Sequence, residues 1–318
     1  MSMSINEQKK TNVNCITKGK LSWYYVEKPT LTEVQYLADK FNFHPLDLDD
    51  VLSIVQRPKI DEYEDRVFMV LHFPVFDKEH HITRPIEIDI FVGENYVVTV
   101  NKSASFKQLA RLFHEYKTID ESRQKYMGKS SGFLLYSILD RLVDYCLPIL
   151  SKVTENIDDI EEIIFEKTVP KTVREISIIR RDLISFRRII RPQIAVIETL
   201  ENEEYPFFRE DQEIYFGDVA DQYRKIWDGL EDCKEVVDGL AETSNWLTSH
   251  RIQEIMSVLT IVMALLAPAT LISGIFGMNI PLPGGISNGS STSLIIILLT
   301  MFLIAVGMFA YLRHRNWI

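Results

Sequence analysis

The sequence predicts an α+β domain, then long helices, then a C-terminal two-helix transmembrane hairpin. Three observations carry that prediction. Residues 255–312 contain no Asp, Glu, Lys or Arg and hold two apolar runs, 255–276 and 294–312, each about the 20 residues that cross roughly 30 Å of hydrocarbon. Residues 1–116 mix alternating, strand-like stretches with short helical ones. From Ser131 onward, apolar residues recur at three-four spacing almost without interruption. The division expected is an α/β domain over 1–120, a helical region over 121–254 and the hairpin over 255–318.

In chain order, 21–26 reads as a strand, 32–41 as a helix capped by Thr32 or Thr30, and Pro45 starts a helix through 52. Strands follow at 67–75, 86–92 and 96–100, and 107–116 closes the unit as a helix. In the middle strand Ile86, Ile88 and Ile90 alternate with Glu87 and Asp89, which predicts a sheet with one wet face. A helix over 133–167 carries Leu134, Ile138, Leu142 and Ile149 on its apolar side. It gains acid toward its end, at Glu155, Asp158, Asp159, Glu161 and Glu162, and Pro170 stops it. The next helix, 171–200, is basic, with Arg174, Arg180, Arg181, Arg187, Arg188 and Arg191. An antiparallel acidic-basic pair and two separately solvated faces both satisfy this pattern. A third helix from about 219 shows no clear stop before 276. If continuous it extends roughly 87 Å at 1.5 Å per residue.

The segment between the apolar runs, 277–293, is rich in Gly and Pro and uncharged. Such backbone belongs outside the hydrocarbon or against water. Arg251 with His250 precedes the first span, and Arg313, His314 and Arg315 follow the second, so the positive-inside rule places both termini in the cytoplasm. The first span carries a stripe of small, polar or flexible residues at four-three steps: Met256, Thr260, Met263, Ala267, Thr270 and Gly274. The second is aliphatic nearly all round. A stripe of this kind suits a pore wall and ordinary helix packing equally. One hairpin encloses no water-filled path, so transport demands several copies.

The net charge of −10 argues against nucleic acid, which needs a basic surface, and is compatible with cations. Cys15, Cys146 and Cys233 lack metal-ligand spacing and read as reduced thiols. The polar first 15 residues show no apolar signal-peptide core. No GxxxxGK[ST] phosphate loop occurs, so no nucleotide is expected. Nor does any nucleophile-base constellation, so an enzyme is not expected.

Gly277-Met278-Asn279, placed directly after the first span, resembles the signature of the CorA family of divalent-cation channels. His44-Pro45-Leu46, Asp49-Asp50, Gln56-Arg57-Pro58-Lys59, Leu134-Leu135-Tyr136-Ser137 and the basic-aromatic ending from Arg313 to Trp317 are similar too. The resemblance spans roughly residues 20–318. It implies a homopentameric funnel in the cell's inner membrane, with the first span lining the pore and lipid against the second. The implied cargo is Mg²⁺, with Co²⁺ or, in a related branch, Zn²⁺. Mg²⁺ gives up its waters reluctantly, so a ring of Asn279 amide oxygens suits the hydrated ion, with Gly277 permitting close backbone approach. Below it Gly274 and Thr270 offer oxygens, and Ala267, Met263, Leu259 and Met256 form an apolar throat, Met256 and Leu259 matching the family's hydrophobic gate. The resemblance also implies that Asp77 and Asp218 of adjacent subunits share a regulatory Mg²⁺; a hairpin turn and a solvated helix start are the plainer readings. Unlike many family members, the chain has no acidic residue after the signature: it reads Ile280-Pro281-Leu282-Pro283.

Glu79-His80-His81 reads as a solvated turn rather than a metal site. Asp47, Asp49 and Asp50 read as acids favoured by a helix start. Asn288-Gly289-Ser290 is a glycosylation sequon only in a secretory host. The competing functional readings are a Zn²⁺ or Co²⁺ transporter of the same architecture and a non-conducting metal sensor.

Overall fold

A mixed sheet organises the N-terminal part of the chain. The computed structural model describes residues 11–53, 56–164, 169–208, 211–278 and 291–315, in two units, Met1–Glu242 and Thr243–Ile318. Among the described residues the strands are β1 (Val13–Lys18), β2 (Leu21–Glu27), β3 (Lys59–Glu62), β4 (Arg66–Asp77), β5 (Ile82–Gly93) and β6 (Tyr96–Asn101). Their order is β1-β2-β6-β5-β4-β3. Only the β2–β6 pair is parallel, because the chain between those strands makes a long excursion through two helices and a meander.

α1 (Leu31–Phe41) begins at Thr30, whose side chain and Glu33 form a capping box. α2 (Pro45–Leu52) has His44 at its cap, Nδ1 accepting from the Leu46 N–H at 3.2 Å. Both helices pack on one sheet face, where Phe43 stacks on Phe91 at 4.0 Å and Phe91 on Phe68 at 4.4 Å. That face is also where the expectation of a wet surface fails. Glu87 and Asp89 are 6% and 0% exposed. Lys102 Nζ pairs with Glu87, lies 3.3 Å from Asp89, and donates to the Asp50 and Ser53 carbonyls. The acids alternate with isoleucines because they receive a buried lysine, not because they meet solvent.

The helical run contains α3 (Lys107–Thr118), α4 (Asp120–Met127), α5 (Ser131–Asp144), α6 (Cys146–Ile163) and α7 (Val169–Asn202). The single helix expected over 133–167 is broken at Tyr145. Pro148, without an N–H, cannot continue the ladder from the turn before it. α7 covers backbone that the sheet leaves unpaired: Gln193 Oε1 accepts from the His72 N–H at 3.0 Å while its Nε2 donates to the His72 carbonyl, and Ser185 Oγ donates to the Thr83 carbonyl at 2.5 Å. Pro170 lies in the first turn of α7, where a missing N–H costs nothing. α8 (Gln212–Phe276) starts earlier than expected and continues through Pro268. A Cβ on Gly229 would come within 2.9 Å of Leu150 Cδ2, so this glycine admits close packing of α6.

In the second unit, α9 (Ser291–His314) is the other long apolar helix. Among the described residues two stretches are long and apolar enough to cross a membrane, one inside α8 and the other Ile295–His314, and their most apolar windows are 0% and 6% buried.

Candidate functional site

Among the described residues nothing covers the apolar span of α8, which leaves this surface available for function. Met263, Ala267, Thr270, Gly274 and Met278 line an open groove of about 670 Å³ along this helix. Four of these belong to the four-three stripe predicted from sequence. A Cβ placed on Gly274 would meet no atom within 4 Å, so the groove owes part of its space to that missing side chain. Met256 and Leu259 lie farther back on the same helix, about half exposed and outside the groove.

The threonines set the polarity of this surface. Thr260 Oγ1 donates to the Met256 carbonyl at 2.7 Å and Thr270 Oγ1 to the Leu266 carbonyl at 3.0 Å. A hydroxyl whose proton is spent inside the helix presents only lone pairs outward, the polarity that a cation or its waters require. Gly277 ends the helix by donating its N–H to the Ser273 carbonyl at 2.9 Å. A Cβ there would sit 3.0 Å from that same oxygen, so close backbone approach, not a left-handed turn, is what this glycine supplies. Met278 is half exposed at the mouth of the groove. Asn279 and the sequon residues Asn288, Gly289 and Ser290 lie outside the described residues.

The two expected regulatory acids sit in different surroundings. Asp77, at the end of β4, organises its own hairpin. Oδ1 accepts from the Glu79 and His80 N–H groups at 3.0 and 3.2 Å, and Oδ2 meets His80 Nδ1 at 2.9 Å and Arg84 Nε at 3.0 Å. Although desolvation opposes it, these hydrogen bonds from His80 and Glu79 hold the carboxyl below the ordinary range. His80 is therefore a partner of Asp77 in a turn, where the sequence suggested only a solvated one.

Asp218, in α8, keeps acidic company instead. Tyr136 donates to its Oδ2 at 3.2 Å, and Gln222 Nε2 donates to Asp140 Oδ1 at 2.9 Å and to Asp218 Oδ2 at 3.4 Å. Burial, then the Asp140 and Asp218 charges, pushes the Asp144 carboxyl up. Burial and the same two charges raise the Tyr136 phenol. Gln222 Oε1 is buried with no hydrogen-bond partner among the described residues. Three carboxylates and an orphaned amide oxygen suit a divalent cation. Yet among the described residues no three His, Cys, Asp or Glu side chains of one chain converge closely enough to hold an ion. Within the described residues of one chain these carboxylates therefore do not form a metal site by themselves. Asp140 and Asp144 were not anticipated; their signal is a pair of acids at i and i+4 on α5, which reads as a solvated face until α8 is packed against it.

Asp47, at the start of α2, is 2% exposed and accepts from the Tyr63 hydroxyl at 2.9 Å, a structural use in keeping with the reading of that acidic turn.

Comparison with known proteins bears on the family and the fold. A family model described as "CorA-like Mg2+ transporter protein" matches residues 18–314. The chain is 30% identical over 286 residues to the cobalt/magnesium transport protein CorA of Thermotoga maritima, covering 90% of this chain and 80% of that one. It is 30% identical over 305 residues to the putative metal ion transporter YfjQ of Bacillus subtilis, covering 93% and 90%. The structure of the CorA magnesium transporter from Methanocaldococcus jannaschii superposes with a TM-score of 0.81 at 22% identity, over 95% of this chain and 94% of that one.

Proposed function

The chain belongs to the CorA family of divalent-cation transporters, and from that premise we propose that it is a channel for Mg²⁺, with Co²⁺ as a second cargo. Five copies surround one path, with the α8 stripe from Met256 through Leu259, Met263, Ala267, Thr270 and Gly274 facing it and α9 facing lipid. The chain lies in the inner membrane with both termini cytoplasmic. The observation that carries this reading is a line of small and lone-pair-bearing residues on a helix whose apolar span the chain leaves uncovered. At the outer end Gly277, Met278 and Asn279 select the hydrated ion through its waters. Throat residues Met256, Leu259 and Met263 close the path by excluding water. Inward movement needs no nucleotide: a divalent ion crossing 100 mV gains about 4.6 kcal/mol, twice the single-charge value. The sequence from Ile280 to Pro283 carries no acid, which lowers the local cation concentration and hence the rate.

Intracellular Mg²⁺ closes the channel from between subunits. Asp218, supported by Asp140 and Asp144, supplies the negative charge, and Asp77 of the adjacent copy joins it by giving up Arg84. The division into an α/β domain, a helical region and a hairpin then separates sensing from conduction. Uptake into liposomes tests the whole reading, with Mg²⁺, Co²⁺ and Zn²⁺ each offered. Mg²⁺ flux that Asn279→Ala abolishes is expected, and Asp218→Ala is expected to keep flux high when internal Mg²⁺ is raised. Zn²⁺ flux alone would replace the cargo. Flux of none of the three ions from a protein that still forms pentamers would replace the channel with a metal sensor.

A further inference from the structure

Among the described residues the arginines of α7 form no ion pair with the acids of α6. Arg180 pairs with Asp238 at 3.2 Å and Arg187 pairs with Glu231, both partners on α8. Arg191 lies over the Trp227 ring at 5.6 Å, and Arg174, Arg181 and Arg188, spaced by about two helical turns each and all exposed, form an outward stripe. Arg181 spends one donor on the His80 carbonyl; Arg174 and Arg188 have no ion-pair partner among the described residues. Val173 and Ile184, 43% and 41% exposed, interrupt the stripe with apolar surface. On α6, Asp158, Asp159, Glu161 and Glu162 are exposed, and likewise no ion pair reaches them among the described residues.

Two opposite, unspent surfaces on one chain are what a head-to-tail contact between identical copies needs, since such a contact joins different patches and closes into a ring when its rotation allows. Position agrees with charge. Asp158 lies five residues before the end of α6 and Arg174 five residues after the start of α7, and in an antiparallel helix pair these equal spacings set the two at one level. Rotation about an axis parallel to these helices preserves that level. We propose that the arginine face of α7 docks on the acidic face of α6 of a second copy, with Arg174 opposite Asp158 and Asp159. This rests on the assembly of copies proposed above and names the surfaces that register it. Contacts between exposed charges contribute mainly orientation and are screened by salt.

The test uses two full-length versions, both carrying Cys15→Ser to remove the exposed thiol, one with Arg174→Cys and the other with Asp158→Cys. They are co-expressed, purified in detergent, sized by light scattering and treated with a bis-maleimide of about 10 Å span, because paired Arg and Asp side chains separate their backbones beyond disulfide reach. A cross-linked dimer that neither version yields alone is the expected result. Adding Arg181→Glu and Arg188→Glu to the first version is expected to cut its yield about tenfold. An assembled oligomer that gives no cross-link overturns the docking and leaves the pentamer standing. A chain that is monomeric by light scattering overturns both.

Discussion

The two units bury apolar surface in opposite directions. In Met1–Glu242, Trp23, Phe68, Phe73 and Phe91 are fully enclosed by the chain's own helices and strands. Three of its charged groups, Glu87, Asp89 and Lys102, go in as one cluster, whereas Glu33, Asp47 and Asp182 are buried against hydroxyl or backbone N–H donors. In Thr243–Ile318, Leu266, Leu271, Phe302 and Leu303 are each about 60% exposed or more, and within the two apolar spans the Thr260, Thr270 and Thr300 hydroxyls each donate to a carbonyl of their own helix. A folded core is a property of the chain in the first unit. In the second the apolar surface stays exposed on the single chain, and under the proposed function lipid and other copies cover it.

Within the second unit α8 and α9 sharpen the contrast. Gly274 and Gly307 both face open space within one chain, yet only the first is assigned to an ion path. Gly274→Leu is expected to reduce Mg²⁺ flux about a hundredfold or more by filling the path, as hydrophobic constriction does. Gly307→Leu is expected to leave flux within about twofold, since a side chain in lipid costs little. Equal loss in radiotracer uptake from both variants would break the distinction.

The comparison with the first unit predicts the next largest effect, this time on folding. Phe91→Ala removes a ring stacked between Phe43 and Phe68 and is expected to cost about 3–5 kcal/mol of stability, measured by denaturant unfolding of the full chain in detergent. Leu298→Ala on α9, 55% exposed, is expected to leave that transition unmoved.

A smaller effect concerns the buried acids. Burial, against the nearby Lys102 charge and together with Glu87, raises the Asp89 carboxyl well above its ordinary value. A carboxyl raised on folding favours the native state below its unfolded pKa, and this contribution is lost as pH rises through the folded value. Asp89→Asn removes that loss and keeps a donor toward Glu87. It is expected to stabilise by about 1 kcal/mol or more at pH 7.5 and by less at pH 4.5. Melting curves at the two pH values check the sign; a variant less stable than the parent at pH 7.5 contradicts it.

What was legible in the sequence follows the same division. The membrane helices were plain because lipid imposes length and apolarity on each helix separately. β4, β5, β6, α1 and α2 were legible from alternation and caps. β1 and β3 were missed, being short edge strands whose residues are mostly half-exposed. Glu87 and Asp89 were misplaced because alternation cannot tell a solvated acid from one that meets a lysine brought in by β6. The ion pairs of α7 were open for the same reason: sequence supplies charges, whereas packing chooses α8 over α6 as their partner. At the site, the α8 stripe was readable as a period, while Asp140 and Asp144 beside Asp218 depend on a contact between α5 and α8 that no local pattern announces.

The central claim is that one face of α8 meets water carrying the ion while α9 meets lipid. Its most direct measurement is Mg²⁺ uptake by Thr270→Cys and Thr300→Cys channels before and after a charged, water-soluble thiol reagent. Both native hydroxyls donate within their own helices, so the substitutions are locally equivalent. The account predicts that the reagent stops flux through Thr270→Cys and leaves Thr300→Cys at the level of the parent. Inhibition of Thr300→Cys with Thr270→Cys untouched would contradict it.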